Sequence, residues 1–203
     1  EELFVFMFKI QYLKSLKNKE VGIKKEVPHE EIEKFIDQIP FTLTLDQQKA
    51  IHEGLEDLTS SKRMNRLLLG DVGSGKTIVA TVLMVANFLA GYQSAFMAPT
   101  EILAIQHLKS IRNLVKDTNI HVECLVGSMS KKEKENVLTN MAKGKIDILI
   151  GTHAILNEKL RFQKLGFIVT DEQHRFGVNQ RDILMQKGSL PDMLFMSATP
   201  IPR

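Results

Sequence analysis

From Phe41 onward the chain alternates between short apolar runs and longer amphipathic stretches. The apolar runs predict strands at Arg66–Leu69, Ala95–Ala98, His121–Val126, Ile146–Ile150, Phe167–Thr170 and Met193–Met196. Such runs suit strands covered on both faces, as in a parallel sheet. Between most of them apolar residues recur at helical spacing, over Thr77–Ala90, Glu101–Val115 and Lys131–Ala142. Ser130 and Glu133 form a capping box that opens the last of these helices. The alternation predicts an α/β fold, a mostly parallel sheet flanked by helices.

Before Phe41 the pattern differs. Leu3, Phe6, Ile10, Leu13 and Leu16 stand at helical spacing among Lys9, Lys14, Lys17 and Lys19, which predicts a connecting helix packed on a neighbour. Residues 21–40 are polar and mixed, punctuated by Pro28 and Pro40. The expected organisation is a helical connector over residues 1–40 and one α/β domain over residues 41–203. Both ends read as cut, because the chain opens on Glu1-Glu2 and closes on Pro200-Ile201-Pro202-Arg203.

Length and composition narrow the picture without changing it. A chain of 203 residues buries one good core and at most a small appendage. Its 43% hydrophobic and 25% charged residues are ordinary for a soluble protein. With a net charge of +3, any polynucleotide surface must come from local clustering of charge. The apolar run Leu3–Phe8 is far shorter than the ~20 residues of a membrane span and follows two acids, so it reads as neither an anchor nor a leader. The single cysteine, Cys124, excludes an internal disulfide and a multi-cysteine zinc site, and fits a reducing cytoplasm.

The strongest chemical signal is Gly70-Asp71-Val72-Gly73-Ser74-Gly75-Lys76-Thr77. It satisfies the phosphate-loop pattern at every fixed position, between a predicted strand and a predicted helix. Glycines let the backbone curl so that successive N–H groups point at phosphate oxygens, and the helix that follows offers its positive end to the same anion. Lys76 is expected to reach the β- and γ-phosphates, and the Thr77 hydroxyl to hold magnesium. A chance match in a chain this long is on the order of one in a hundred.

A phosphate-loop enzyme also needs a carboxylate for the metal and a group that orients or activates water. Asp171-Glu172 follows the apolar run Phe167–Thr170, at the carboxyl end of a strand, where open α/β sheets bind ligands. Asp171 is therefore expected to be the magnesium partner and Glu172 the general base. Ser197-Ala198-Thr199 follows another apolar run, so three strand ends, at Gly70, Asp171 and Ser197, should converge on one sheet edge. Ser197 and Thr199 read equally well as caps for the next turn.

With these segments in hand the chain resembles the superfamily 2 helicases, most closely the RecG family of bacterial branch-migration helicases. The resemblance is carried by Asp171-Glu172-Gln173-His174-Arg175-Phe176-Gly177-Val178 with Gln180-Arg181, and by Ser197-Ala198-Thr199-Pro200-Ile201-Pro202-Arg203. It runs continuously from about Phe41 to Arg203. The transcription-repair coupling factors share much of it, but their acidic box typically reads Asp-Glu-Glu-Gln where this chain has Asp-Glu-Gln-His. The resemblance implies a RecA-like domain, the first of two motor domains, that binds ATP and Mg2+ and acts on branched or duplex DNA without sequence preference. It also implies an upstream wedge domain, and a second motor domain bearing an arginine motif.

The resemblance gives roles to weaker signals. Ala98-Pro99-Thr100-Glu101-Ile102-Leu103-Ala104-Ile105-Gln106-His107 looks like a motif that touches the DNA backbone through Thr100, which is equally a plain N-cap. Val126-Gly127-Ser128 and Gly151-Thr152-His153-Ala154 look like two further DNA-contacting loops, each a strand end followed by hydrogen-bonding groups for phosphate. Phe41, Leu43, Thr44 and Gln47 resemble an adenine-recognising motif, although Thr44 to Gln47 also satisfies a capping box. His174 is expected to couple the nucleotide site to Ser197 and Thr199. The other five histidines lack metal-ligand spacing and read as surface or core residues, and Cys124 as inert core. A module that senses ATP without hydrolysing it would have no need of Glu172.

Overall fold

The computed structural model of the protein describes residues 22–171 and 178–198. The predicted helix over residues 1–20 lies outside them, as do Glu172, His174 and Thr199. The described elements, in chain order, are α1 (His29–Asp37), α2 (Leu45–Thr59), β1 (Asn65–Leu69), α3 (Lys76–Leu89), β2 (Gln93–Met97), α4 (Glu101–Leu114), β3 (Val122–Leu125), α5 (Lys131–Ala142), β4 (Ile148–Gly151), a 3-10 turn (His153–Leu156), β5 (Leu165–Asp171), α6 (Val178–Met185) and β6 (Asp192–Ser197). All strand pairs are parallel, in the order β1-β6-β5-β2-β4-β3. No described helix is long and apolar enough to cross a membrane.

Side-chain alternation along each strand builds two apolar layers, because successive residues point to opposite faces. Phe96, Ile148, Ile150, Phe167, Val169, Leu194 and Met196 join α2, α3 and α4 on one face. Ala95, Met97, Leu149, Ile168, Met193 and Phe195 join α5, the 3-10 turn and α6 on the other. Helix α3 is buried continuously from Val79 to Asn87, as an almost wholly apolar helix must be. Its position under the sheet fixes the phosphate loop at its N-terminus.

The strand limits differ from the apolar runs mainly where polar residues are buried. Strand β2 begins at Gln93, not Ala95, and β6 at Asp192, not Met193. Gln93 satisfies its buried amide fully, donating to the Met141 and Ile146 carbonyls and accepting from the Gln163 and Lys164 N–H groups. Ile146 and Asp147 precede β4, with Asp147 accepting from the His121 N–H at 2.7 Å.

Helix α1 lies in the stretch that reads as polar and mixed. Val27, Ile32, Phe35 and Ile39 pack into the same apolar layer as α3, so residues 22–40 share the core of the α/β domain. Lys25 anchors this segment beneath the sheet: its ammonium donates to Asp192 Oδ2 at 2.6 Å and to the Gly166 carbonyl at 2.8 Å. Burial pushes the Lys25 ammonium down and the Asp192 carboxyl up in pKa, and their mutual attraction opposes both shifts. Removing one partner of a buried pair costs about 3–5 kcal/mol, because the other charge stays desolvated. Lys25→Met should therefore destabilise the protein by about that much in urea unfolding. Adding Asp192→Asn should recover part of the loss, since the amide oxygen can still accept from the Met64 N–H, now 2.6 Å from Asp192 Oδ1.

Candidate functional site

The parallel order puts every strand's carboxyl end on one edge of the sheet. On one half of that edge lie the ends of β1, β6 and β5, in register through Leu69↔Ser197 and Asp171↔Met196. The Gly70 N–H donates to the Ser197 carbonyl at 3.2 Å, so the phosphate loop starts where β6 finishes. The convergence of Gly70, Asp171 and Ser197 expected from the sequence is thus present.

Gly73 and Gly75 both have φ +82°, a left-handed conformation that a side chain would strain, and together they fold the loop back over α3. Gly75 is the N-cap of α3 and brings no side-chain cap, so the Lys76 and Thr77 N–H groups remain available to an anion, while the Ile78 N–H donates to the Gly75 carbonyl at 2.9 Å. The Lys76 ammonium lies inside the loop, donating to the carbonyls of Gly70 and, at 2.8 Å, Asp71. Ser74 N–H closes a turn on the Asp71 carbonyl at 3.1 Å, and Val72 is almost fully exposed at the tip. This backbone fits a polyphosphate: glycine-permitted curvature, an uncapped helix start and one ammonium.

The loop opens onto a cleft of about 490 Å³ lined by Phe41, Lys76, Thr77, His107, Asp171 and Ala198, among others. Phe41 is roughly half exposed at its rim. Gln47 realises the capping box, its Oε1 accepting from the Thr44 N–H at 2.9 Å, and Nε2 also donates to the Ser74 carbonyl at 2.9 Å. One amide hydrogen and one oxygen lone pair remain, enough for the edge of a purine, so capping and base recognition are compatible.

Thr77 and Asp171 supply the hard oxygen donors that magnesium prefers. Asp171 closes β5, and its carboxylate is 15% exposed. No group of three or more His, Cys, Asp or Glu side chains that could hold a metal exists among the described residues. Between the two donors stands a residue that the sequence reading misses. His107 Nε2 is 2.9 Å from Asp171 Oδ2, and its Nδ1 is 3.5 Å from Thr77 Oγ1. To the expectation that His107 is a surface or core histidine the structure adds these two contacts; the partners are 64 and 30 residues away along the chain, beyond the reach of any spacing rule. The neighbouring Thr170 hydroxyl is buried without a hydrogen-bond partner among the described residues.

The other half of the edge carries the ends of β2, β4 and β3. Thr100, Gly127 and Ser128 are exposed there, with Thr152 and His153 beside them. Thr100 does serve as N-cap of α4, accepting from the Leu103 N–H at 3.3 Å. Thr152 precedes the 3-10 turn without a side-chain cap bond. Glu101, on the first turn of α4, accepts from the Ser128 N–H at 3.1 Å, and hydrogen bonding with the Ser128 side chain, joined by the backbone of Ser128 and Gly127, holds its carboxyl below the usual range. Lys134 donates to the Gly127 carbonyl at 2.5 Å. Helix α4 therefore touches the β3 loop at its start and the nucleotide side, through His107, two turns later. Cys124 lies in β3, where burial pushes its thiol up to about 11, in keeping with inert core.

Comparison with known proteins agrees with this arrangement. Residues 44–203 match the DEAD/DEAH box helicase family. The whole chain is 48% identical to the ATP-dependent DNA helicase RecG of Thermotoga maritima and 47% identical to that of Bacillus subtilis, spanning 26% and 30% of those proteins. Among solved structures it is similar to RecG bound to a three-way DNA junction, with a TM-score of 0.84 and 46% identity over 99% of this chain and 27% of that one. Mss116p bound to single-stranded RNA and AMP-PNP shares the fold, with a TM-score of 0.69 at 24% identity over 84% of this chain and 38% of that one. With a phosphate loop, an acidic strand end and a matching sequence over most of its length, the chain belongs to the DEAD/DEAH box helicase family.

Proposed function

We propose that the chain is the ATP-binding motor domain of a RecG-type DNA helicase or translocase, coupling ATP hydrolysis to the remodelling of branched DNA in recombination and repair. The observation that carries this is the division of one sheet edge. The ends of β1, β6 and β5 form a phosphate cradle with an acidic neighbour, and the ends of β2, β4 and β3 offer small and hydroxylic groups alongside it. The junction-bound relative supports branched DNA as the partner.

In this reading the backbone of Gly70–Thr77 and the Lys76 ammonium bind the β- and γ-phosphates, and Phe41 and Gln47 flank the adenine. Thr77 and Asp171 hold magnesium, which when bound neutralises charge on the phosphate oxygens. Glu172 takes the proton of the attacking water. Ser197, His174 and Thr199 report the state of the γ-phosphate to the rest of the motor. Thr100, Gly127, Ser128, Thr152 and His153 donate to DNA phosphates, which makes binding indifferent to base sequence. A second RecA-like domain and a wedge domain of the same polypeptide complete the machine, which works in the cytoplasm.

The test separates the two halves of the edge. Lys76→Ala removes a charged donor worth about 1.5–3 kcal/mol and should weaken ATP binding by roughly 10–100-fold. Thr152→Ala or Ser128→Ala, measured in the intact protein, should lower DNA stimulation of ATPase several-fold while ATP affinity stays unchanged. A strong preference for particular base sequences, or equal loss of ATP affinity in both sets of variants, would count against the assignment.

A further inference from the structure

We propose that His107 is a positioning residue of the nucleotide site, one imidazole that aims both the Thr77 hydroxyl and the Asp171 carboxylate toward the cation. The inference rests on the proposed ATP and magnesium site, and concerns a residue to which that reading gives no role.

The hydrogen-bond chemistry fixes what His107 does there. A carboxylate can only accept, so Nε2, 2.9 Å from Asp171 Oδ2, carries the ring hydrogen. Nδ1, on the other side of the ring, faces Thr77 Oγ1 at 3.5 Å, the outer limit of a hydrogen bond. A threonine hydroxyl that donates to the imidazole turns its lone pairs elsewhere, and a carboxylate with one oxygen engaged keeps the other free. Both are the orientations that oxygen ligands of a hard cation need. Among the described residues His107 is the one side chain that hydrogen-bonds to the Thr77 hydroxyl or to the Asp171 carboxylate.

The ring itself is held. His107 sits in the middle of α4 with its side chain 13% exposed, and it packs on Phe96 with ring centroids 4.6 Å apart. Phe96 is fully buried on β2, so the imidazole is braced by the sheet core. A rigid group joining two ligands in this way is the outer support that metal sites use to set ligand direction, and losing such support typically costs about 10–100-fold in metal affinity or activity.

The experiment measures fluorescent ATP-analogue binding to the intact protein with Mg2+ and with EDTA, together with the Mg2+ dependence of ATPase. His107→Ala should raise the Mg2+ needed for half-maximal turnover by about 10–100-fold and shrink the gain in nucleotide affinity that Mg2+ provides, while binding in EDTA changes less than about two-fold. His107→Gln, which keeps a donor near the Nε2 position, should recover much of the Mg2+ response. His107→Asn, which keeps an acceptor near Nδ1, should recover less, because the Thr77 contact is the longer one. Should the alanine variant fold poorly, the Gln and Asn variants carry the same comparison at matched thermal stability. An unchanged Mg2+ response in a folded alanine or asparagine variant overturns the proposal. So does a parallel loss of binding in EDTA, which marks His107 as packing only. Lys76→Ala run alongside tests the underlying site: if it binds and turns over like the unaltered protein, the nucleotide reading fails, whatever His107 does.

Discussion

Replacing Glu172 with glutamine should lower ATP turnover by about 10²–10⁴-fold, the span expected for a lost general base, with nucleotide affinity nearly unchanged. Glu172 follows Asp171, which closes β5 beside the phosphate loop, so along the chain the proposed base adjoins the residue assigned to the metal. Glutamine keeps the size and the hydrogen-bonding oxygen but cannot accept the proton of water. The Lys76 cradle, Thr77 and Asp171 survive the change, so the complex should still form and then stall. Rapid-quench measurement of a single turnover, with equilibrium binding of a fluorescent ATP analogue, separates the steps. Near-normal turnover would remove Glu172 from the role of base. A loss of binding as large as the loss of rate would show that the side chain holds the substrate rather than the water.

How much of this was legible in the sequence depended on the distance between partners. The phosphate loop was readable because its chemistry is local: Gly73, Gly75, Lys76 and Thr77 act through one turn of backbone and the first turn of α3. The parallel sheet was readable because strands covered on both faces must be apolar along their length. The starts of β2 and β6 were missed for the converse reason. Gln93 and Asp192 look like surface residues, and each is buried only because distant groups complete it. Gln93 bonds to segments around Met141, Ile146 and Gln163, and Asp192 pairs with Lys25, 167 residues earlier. Helix α1 escaped because a nine-residue helix needs only Ile32 and Phe35 buried to dock, too few to set a period among four acids.

The same rule governs the site. The place of Asp171 at a strand end was readable because it follows an apolar run, and the alternatives left open at Gln47 and Thr100 both include the cap that the structure shows. His107 could not be found that way. Within its own helix it reads as one polar residue in a mixed segment, and its meaning comes from β1–α3 and β5 arriving on either side of it. A histidine within an otherwise assigned motif, facing inward toward the sheet by helical phase, is the only signal the sequence offered.

The 203-residue chain alone should hydrolyse ATP at close to background, with little response to DNA. The reason is a shortage of positive charge at the transferring phosphoryl. Among the described residues around the cleft, Lys76 is the one permanent cation, and no arginine lines it. An arginine finger is worth about 10³–10⁵ in rate, because the charge that develops on the equatorial oxygens has few other partners. In the motor reading that arginine comes from the second RecA-like domain across the cleft. In the same reading Thr100, Ser128 and Thr152 would form one side of a DNA track and should bind DNA weakly by themselves. The cradle is local, so nucleotide binding should remain measurable and should fall in Lys76→Ala. Steady-state phosphate release from the purified chain, with and without a branched DNA, reads the result directly. Robust DNA-stimulated hydrolysis that vanishes in Lys76→Ala would mean that one domain carries the whole reaction, and the two-domain account of the transition state would have to be given up.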